Sequence, residues 1–273
     1  MTDMTYQVSA PTEEAPVLVT RDGAIATLTL NRPARKNALN GDSWRLLAAA
    51  LQSLTTDDDV RVVIFTGADG NFCSGADLSG RSPDEHPLSR MRLAGNIALT
   101  LSELPKPVIA MVDGVAVGAG WNLALACDFV VATPGARFCQ IFARRGLSID
   151  LGGSWLLPRI VGLQQAKRLA MLAEMISAEE ALALGLVTWV KPAAEIGGFV
   201  ADLATRLALM PPVALAQTKA LLNQAATETL MEAVSNEARA QAVNYATEDA
   251  PAAFRAFLEK AEPPAFTGRW AVP

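Results

Sequence analysis

Histidine and cysteine are scarce in this sequence, which narrows the chemistry it can support. The 273 residues include one histidine, His86, and three cysteines, Cys73, Cys127 and Cys139. An odd number of widely spaced cysteines suits a reducing cytosol better than a disulfide scaffold, and the spacing is not that of a zinc site. The sequence therefore offers few histidine or cysteine ligands for a metal centre and one histidine for a catalytic triad. We expect a cytoplasmic protein with no metal and no permanently bound cofactor.

Charged residues are also few. They make up 19% of the chain against 51% hydrophobic residues, which excludes a disordered protein. The net charge of −5 argues against a nucleic-acid partner, although a few local lysines or arginines could hold one phosphorylated small ligand. Residues 1–16 are polar and acidic and do not form a signal peptide. Residues 114–132 are apolar, but Asn122, Asp128 and three glycines interrupt them, so we expect a buried strand–helix–strand and no membrane span.

The first two thirds of the chain alternate between strand and helix patterns. Residues 17–20 and 24–30 predict a hairpin, and a helix follows with Trp44, Leu47, Leu51 and Leu54 on one face. Further buried strands are predicted at residues 61–66, 107–113 and 127–132. This order predicts an α/β fold with a largely parallel sheet. Residues 79–90 are polar and broken by proline, which predicts a mobile loop.

The chain becomes helical after about residue 160. We divide it into a core at residues 1–198 and a C-terminal helical region at residues 199–273, with three helical segments separated near residues 211–212 and 247–251. The first of these segments has more apolar residues than one helix face can bury. They must therefore pack on the core of the same chain or on a neighbouring subunit. These residues are Phe199, Val200, Leu203, Leu207 and Leu209.

Two glycine-rich loops follow predicted strands. They are residues 72–78, FCSGADL, and residues 114–128, GVAVGAGWNLALACD. In each, a strand runs through small residues into a helix, which leaves main-chain N–H groups unpaired at a helix N-terminus. Two such groups facing one carbonyl oxygen form an oxyanion hole, although the glycines could equally make only tight turns. The spacing does not match a dinucleotide-binding fingerprint.

These motifs resemble the enoyl-CoA hydratase/isomerase (crotonase) superfamily. The resemblance rests on SGADL, on KPVIAMVDGVAVGAG, on NRPARKNAL at residues 31–39 and on the later LPRIVG, and it covers most of the chain. It implies a spiral of ββα units with a C-terminal helical trimerisation region, assembled as a homotrimer or hexamer. It also places the two oxyanion-hole N–H groups at Ala76 and Ala119, and it makes a coenzyme A thioester the substrate.

The resemblance also implies a coenzyme A site. The matching positions are Lys36, Ala38, Ser74, Asp77, Leu78, Phe257 and Lys260. The last two lie in a segment that in this family often reaches coenzyme A from a neighbouring subunit. For Lys36 and Lys260, solvated surface charge is the alternative interpretation.

The sequence departs from the hydratases of this superfamily at both catalytic glutamates. Asn122 and Phe142 stand at those positions, and neither side chain can accept a proton from water. Asp150 stands where hydratases often have glycine, and an acid there is typical of isomerases that move a double bond. The surrounding run is similar to the isomerases of bacterial phenylacetate breakdown. The alternative role for Asp150 is an N-cap of the helix that follows.

We therefore expect an enoyl-CoA isomerase with Asp150 as its only acid/base. One carboxylate suffices to move an α-proton to the γ carbon, and apolar walls would make it a stronger base. The expected walls are Trp121, Ile149 and Leu151. A hydratase in which Asn122 and Asp150 share a water, and a catalytically silent acyl-CoA carrier, are the alternatives.

Overall fold

The computed structural model describes residues 15–79 and 86–271. Its strands are β1 (Val17–Asp22), β2 (Ile25–Leu30), β3 (Val62–Gly67), β4 (Val108–Val112), β5 (Val115–Val117), β6 (Phe129–Ala132), β7 (Arg137–Cys139), β8 (Ile176–Ser177) and β9 (Trp189–Val190). Six of them form a sheet in the order β1-β2-β3-β4-β6-β9, and three form a smaller sheet in the order β5-β7-β8.

Strand directions match the sequence pattern. β1 and β2 pair antiparallel, and Gly23 in the turn between them has φ 56°, a backbone conformation that glycine adopts without strain. β2, β3, β4, β6 and β9 run parallel to their neighbours. The predicted hairpin and the largely parallel sheet are both confirmed.

Helices follow most of the strands. They are α1 (Gly41–Thr56), α2 (Pro87–Glu103), α3 (Ala119–Leu125), α4 (Gly153–Leu172), α5 (Ala178–Ala183), α6 (Ile196–Ala208), α7 (Pro212–Ala225), α8 (Leu230–Tyr245) and α9 (Asp249–Glu259). Short 3-10 turns lie at Pro33–Arg35 and Ile141–Arg145, and α4 is kinked at Gly162. The strand β5, helix α3 and strand β6 confirm the predicted strand–helix–strand over residues 114–132.

The core occupies both faces of the larger sheet. On one face, Val63 and Phe65 belong to the same buried cluster as Leu47 and Leu51 of α1. On the other face, α6 covers the sheet with Ile196, Val200 and Ala204, against Val62, Ile64, Ile109 and Val131. Phe199, Leu203 and Leu207 are partly buried against this second cluster, and Leu209 alone of the five expected contact residues is 70% exposed. Most of the apolar residues proposed to need a partner therefore pack on their own sheet.

Two expectations about chain segments need correction. The loop expected at residues 79–90 lies partly outside the described residues, at 80–85, but from Pro87 onward it is the first turn of α2. Proline there starts a helix because the first helical N–H needs no partner, and the His86 side chain accepts a hydrogen bond from the N–H of Leu88. The C-terminal region has four helices among the described residues instead of three segments, since α7 and α8 are separate.

A partly buried ion pair joins the C-terminal region to the sheet. Lys219 of α7 lies 2.8 Å from the carboxylate of Asp128, and the two side chains are 10% and 22% exposed. The same carboxylate accepts a hydrogen bond from the N–H of Val108 at 2.7 Å. Burial raises the pKa of Asp128, and the charge of Lys219 opposes that rise. Helix α7 is thus tied to the start of β4 through Asp128.

No single helix among the described residues is long and apolar enough to cross a membrane. The pair α6 and α7 reaches that length and composition only together, and the two helices are bent by 105° at their junction.

Candidate active site

The two glycine-rich loops are paired through their main chains. The N–H of Cys73 donates to the carbonyl of Val115, and the N–H of Val117 donates to the carbonyl of Cys73, both at 2.9 Å. Gly75 has φ 97°, and a Cβ there would lie 2.8 Å from the Val117 carbonyl oxygen and 3.8 Å from the nitrogen of Ala119. Only glycine fits this contact, so the two loops meet next to Ala119.

Two main-chain N–H groups are left without an acceptor where the loops meet. Ala76 lies opposite Leu39 in a parallel β-bridge, but the hydrogen bonds of that bridge use its neighbours. The N–H of Leu39 donates to the Gly75 carbonyl and the N–H of Asp77 donates to the Leu39 carbonyl, both at 2.9 Å. Ala119 is the first residue of α3, where a helix provides no acceptor. Across residues 15–79 and 86–271, neither N–H donates to a protein group. The positions predicted for an oxyanion hole are therefore available to a ligand oxygen.

Asp150 lies between the second 3-10 turn and α4. Its main-chain carbonyl accepts hydrogen bonds at 2.9 Å from the N–H of Gly153 and from Nδ2 of Asn122. The N-cap of α4 is Gly152, which lacks a side-chain hydrogen bond, so Asp150 does not have the alternative capping role. The carboxylate oxygen Oδ1 is buried and has no partner among the described residues. Burial raises the pKa of Asp150 to about 6, and the amide of Asn122 offsets part of that rise.

Asn122 fixes the position of Asp150. Its amide is fully buried, and its Oδ1 accepts a hydrogen bond of 2.8 Å from Nε2 of Gln140. A Cβ at Gly153 would lie 2.5–2.7 Å from the amide atoms of Asn122, so this glycine is required by close packing. Because both polar atoms of Asn122 bond to protein, the residue aligns the Asp150 main chain and has less capacity to hold a water. Gln140 was not singled out from the sequence.

Phe142, which the resemblance places at the second glutamate position, is an apolar residue. Phe142 is 6% exposed, and a Cβ at Gly118 would lie 3.6 Å from its ring. The ring therefore packs against the turn that precedes Ala119. Of the expected walls, Trp121 is fully buried and packs against Phe138 at 5.5 Å, deeper than the residues around Asp150.

The predicted coenzyme A residues of segments 31–39 and 72–78 lie together. The N–H of Ser74 donates to the carbonyl of Lys36 at 3.0 Å, and the Lys36 side chain is exposed. Arg32 forms an ion pair of 2.9 Å with Asp77 and donates to the carbonyl of Ala38 at 2.5 Å. Hydrogen bonds from Ser79, with a smaller contribution from Arg32, lower the pKa of Asp77 to about 2. The carboxylate of Asp77 is thus engaged by protein, and Leu78 beside it is 50% exposed.

Asn37 holds together the segments that carry these residues, and the sequence analysis did not identify it. It is 1% exposed with φ 56°, and its Nδ2 donates to the carbonyls of Ala68 and Asn71 at 2.9 Å and 2.6 Å. Its Oδ1 accepts from the N–H of Arg32 at 2.9 Å. The one available signal was its position inside NRPARKNAL, between two residues already assigned to the coenzyme.

Phe257 and Lys260 lie apart from these loops. Phe257 is 81% exposed near the end of α9, and Lys260 ends that helix with φ 54°. Within the described part of the chain, no hydrogen bond or ion pair joins either residue to residues 72–78. The cysteines are not nucleophiles, because burial raises the pKa of Cys73 to about 12 and raises the pKa of Cys127 as well.

Known proteins resemble this chain over most of its length. The profile of the enoyl-CoA hydratase/isomerase family matches residues 20–269. The 1,2-epoxyphenylacetyl-CoA isomerase of Escherichia coli strain K12 is 38% identical over 251 residues, 90% of this chain and 95% of that protein. The short-chain-enoyl-CoA hydratase of Clostridium acetobutylicum is 34% identical over 256 residues, 93% and 98% of the two chains. The structure of an enoyl-CoA hydratase from Bacillus anthracis matches with a TM-score of 0.88 at 29% identity and covers 93% of this chain and 100% of its own. The predicted spiral fold with its C-terminal helices is confirmed.

The burial of Asp150 predicts a pH-dependent stability difference. Since its pKa is raised from 3.8 to about 6, the carboxyl group favours folding below about pH 4, and this contribution is lost as the pH rises through 6. We expect Asp150→Asn to become more stable relative to wild type between pH 4 and pH 8, by about 2 kcal/mol after allowing for partial exposure. Urea unfolding at several pH values measures this difference. Asp202→Asn, at an exposed site on α6, is the control and should show no such trend. A difference for Asp150→Asn that does not change with pH would contradict the assignment.

Proposed function

The chain belongs to the enoyl-CoA hydratase/isomerase family, and from this premise we propose that it moves the double bond of an enoyl-CoA, with Asp150 as its acid/base. The single observation that carries the proposal is the buried carboxylate of Asp150, which has an oxygen without a partner. Coenzyme A thioesters are the substrates that the family implies.

The oxyanion hole makes the first proton removable. We place the thioester oxygen between the N–H groups of Ala76 and Ala119, which have no protein acceptor among the described residues. As the C–H bond at the α carbon breaks, its electron pair moves toward this oxygen and an enolate forms. Each donor at such a site stabilises the enolate by roughly 2.7–4 kcal/mol. Both donors are main-chain groups held by the pairing of their loops, so no side chain must reorient during the reaction.

Asp150 moves the proton. Its pKa of about 6 keeps it ionised at neutral pH yet basic enough to accept the α-proton, which is the range suited to a general base. In a 3-enoyl-CoA the resulting dienolate spreads its charge to the γ carbon. Asp150 returns the same proton there, and the double bond moves from carbons 3 and 4 to carbons 2 and 3. No proton, electron pair or water is gained or lost.

The residues around Asp150 favour this shift over hydration. Hydration needs a water held and deprotonated near the double bond. Phe142 presents an apolar ring where one water-binding carboxylate would lie, and Asn122 bonds to Gln140 and to the Asp150 carbonyl. Some relatives are named hydratases, so slow hydration is the alternative activity. The test must distinguish it from double-bond migration.

We place coenzyme A along the rim formed by Lys36, Ala38, Ser74, Asp77 and Leu78. The rim offers main-chain groups and the exposed charge of Lys36. Phe257 and Lys260 would complete it from a neighbouring subunit, because both are exposed and far from the rim in sequence. The cytoplasmic location inferred from the cysteines remains a prediction.

Replacement of Asp150 tests the chemistry. Asp150→Asn keeps the size of the side chain but cannot accept a proton. We expect conversion of a 3-enoyl-CoA to the 2-enoyl-CoA to fall at least about 100-fold, with acyl-CoA affinity nearly kept. Product analysis with separate detection of migration and hydration measures this, and Asp202→Asn is the matched control. Rapid hydration of 2-enoyl-CoA by wild type with no migration would establish the hydratase alternative. Binding with neither reaction would establish the silent carrier.

Removal of one N–H tests the oxyanion hole. Ala119 is the first residue of α3, a position where helices accept proline, so Ala119→Pro deletes the N–H while remaining compatible with the helix. We expect the turnover number to fall about 100-fold. Ala119→Ser keeps the N–H and is the control. A folded Ala119→Pro enzyme with the wild-type rate would mean that the thioester oxygen lies elsewhere.

The C-terminal helices favour subunit contacts. Residues 199–273 are the region to which we assign this role, with residues 1–198 carrying the site. Large apolar side chains of this region are strongly exposed in the single chain: Leu222, Leu230, Met231, Phe257 and Leu258 are each 71–82% exposed. Exposed apolar groups of this extent are typical of an interface.

We expect a trimer or hexamer in solution. Sedimentation equilibrium should give three or six times the chain mass of 28.8 kDa. Phe257→Ala should weaken coenzyme A binding if the segment reaches the site of a neighbour. A stable monomer at micromolar concentration that still binds acyl-CoA would contradict both the assembly and the shared site.

A further inference from the structure

A large cavity is lined in part by the residues that follow Asp150 in the sequence. It has a volume of about 930 Å³ and lies between α2, the start of α4 and one face of α7. Leu151 and Gly152, the two residues that follow Asp150, form part of its wall. Other wall residues are Gly95, Ala98, Leu99 and Trp155. Cavities of about 300–1,000 Å³ enclose ligands of drug size, so this one far exceeds the needs of a four-carbon acyl group.

The cavity extends along two of its helices. Its α2 wall runs from Gly95 to Glu103 and its α7 wall from Ala216 to Gln224, each about 12 Å at the rise of an α-helix. Asn223 donates a hydrogen bond of 3.0 Å to the carbonyl of Ser102, which ties the two helices together. This length admits an extended acyl chain.

Gly95 stands at the midpoint of α2 without a packing reason for glycine. A Cβ added there would meet no atom within 4 Å, and the residue is in an ordinary helical conformation. Glycine is a poor helix former, so the position weakens α2 without allowing a close contact or an unusual backbone angle. What glycine does leave at this position is open space beside the cavity, and Ala98, almost one turn later, lines the same cavity with a small side chain.

We propose that the enzyme acts on long-chain acyl-CoA substrates and that Gly95 and Ala98 set the acyl length it accepts. The proposal rests on the reaction placed at Asp150, since the acyl chain enters the cavity from that residue. With the thioester oxygen between Ala76 and Ala119, the carbons beyond the double bond would continue past Leu151 and Gly152 along α2. Side chains larger than those of Gly95 and Ala98 would occupy the path of the chain.

Binding of unreactive thioesters tests the inference. We would titrate wild type with butanoyl-CoA and dodecanoyl-CoA by calorimetry and expect dodecanoyl-CoA to bind at least about 100-fold more tightly, because its additional methylenes are buried. In Gly95→Leu the ratio of the two affinities should fall at least about tenfold, since leucine would fill the cavity. Leucine is the better helix former, so the variant should fold. Ala98→Leu is the second variant, with the same expectation.

Gly198→Leu is the matched control. This glycine lies in α6, is exposed, and also has no atom within 4 Å of an added Cβ, but it is outside the cavity. Its affinity ratio should equal that of wild type. Equal wild-type affinity for the two thioesters, or an unchanged ratio in both cavity variants, would overturn the inference. Length-selective binding without double-bond migration at any length would instead overturn the proposed reaction, while the assignment of acyl length to Gly95 and Ala98 would stand.

Discussion

The site depends on how closely two stretches of main chain approach each other. A Cβ on Gly120 would lie 2.4 Å from the carbonyl oxygen of Cys73, and a Cβ on Gly75 would lie 2.8 Å from that of Val117. At both contacts only a hydrogen atom fits. The spacing of the two unpartnered N–H groups is therefore set by the backbone and not by side-chain rotamers, and the strands before the loops supply the rigidity. Any side chain at these glycines would move the loops apart.

A second set of contacts positions the main chain at Asp150. Gln140 donates to Asn122, and Asn122 donates to the carbonyl of Asp150, so three buried polar residues from α3 and two loops are joined in series. The donor at position 122 is needed because its partner is a carbonyl oxygen. A glutamate there would place an ionised acceptor against that carbonyl and would press on Gly153 as well. Asparagine at 122 therefore suits the main-chain carbonyl at position 150, and through that carbonyl it fixes the backbone that carries the Asp150 carboxylate.

Local patterns were enough to predict the hairpin, the parallel strands and the two turns at residues 72–78 and 114–128. Hydrophobic periodicity, turn residues and helix starts all depend on residues that are close together in the sequence. Contacts between distant segments were not predictable. Gln140 and Asn37 are ordinary polar residues in the sequence, and only the fold shows that each is buried and bonded to other segments. Pro87 was misread because proline both ends and begins helices, and the preceding polar run favoured the first interpretation. The apolar excess of α6 was real, but a single sequence does not tell whether a helix covers its own sheet or a partner.

The ion pair between Lys219 and Asp128 has a consequence for how the chain holds together. The carboxylate lies at the start of β4, the strand that leads to the second loop, while the ammonium group comes from the C-terminal region. A partly buried carboxylate is less favourable without its counter-charge. The contact at the start of β4 is therefore stabilised by the packing of α7, and α7 also forms one wall of the cavity. Although the core and the helical extension are successive along the chain, this ion pair couples their stabilities, because displacement of α7 removes the counter-charge of Asp128.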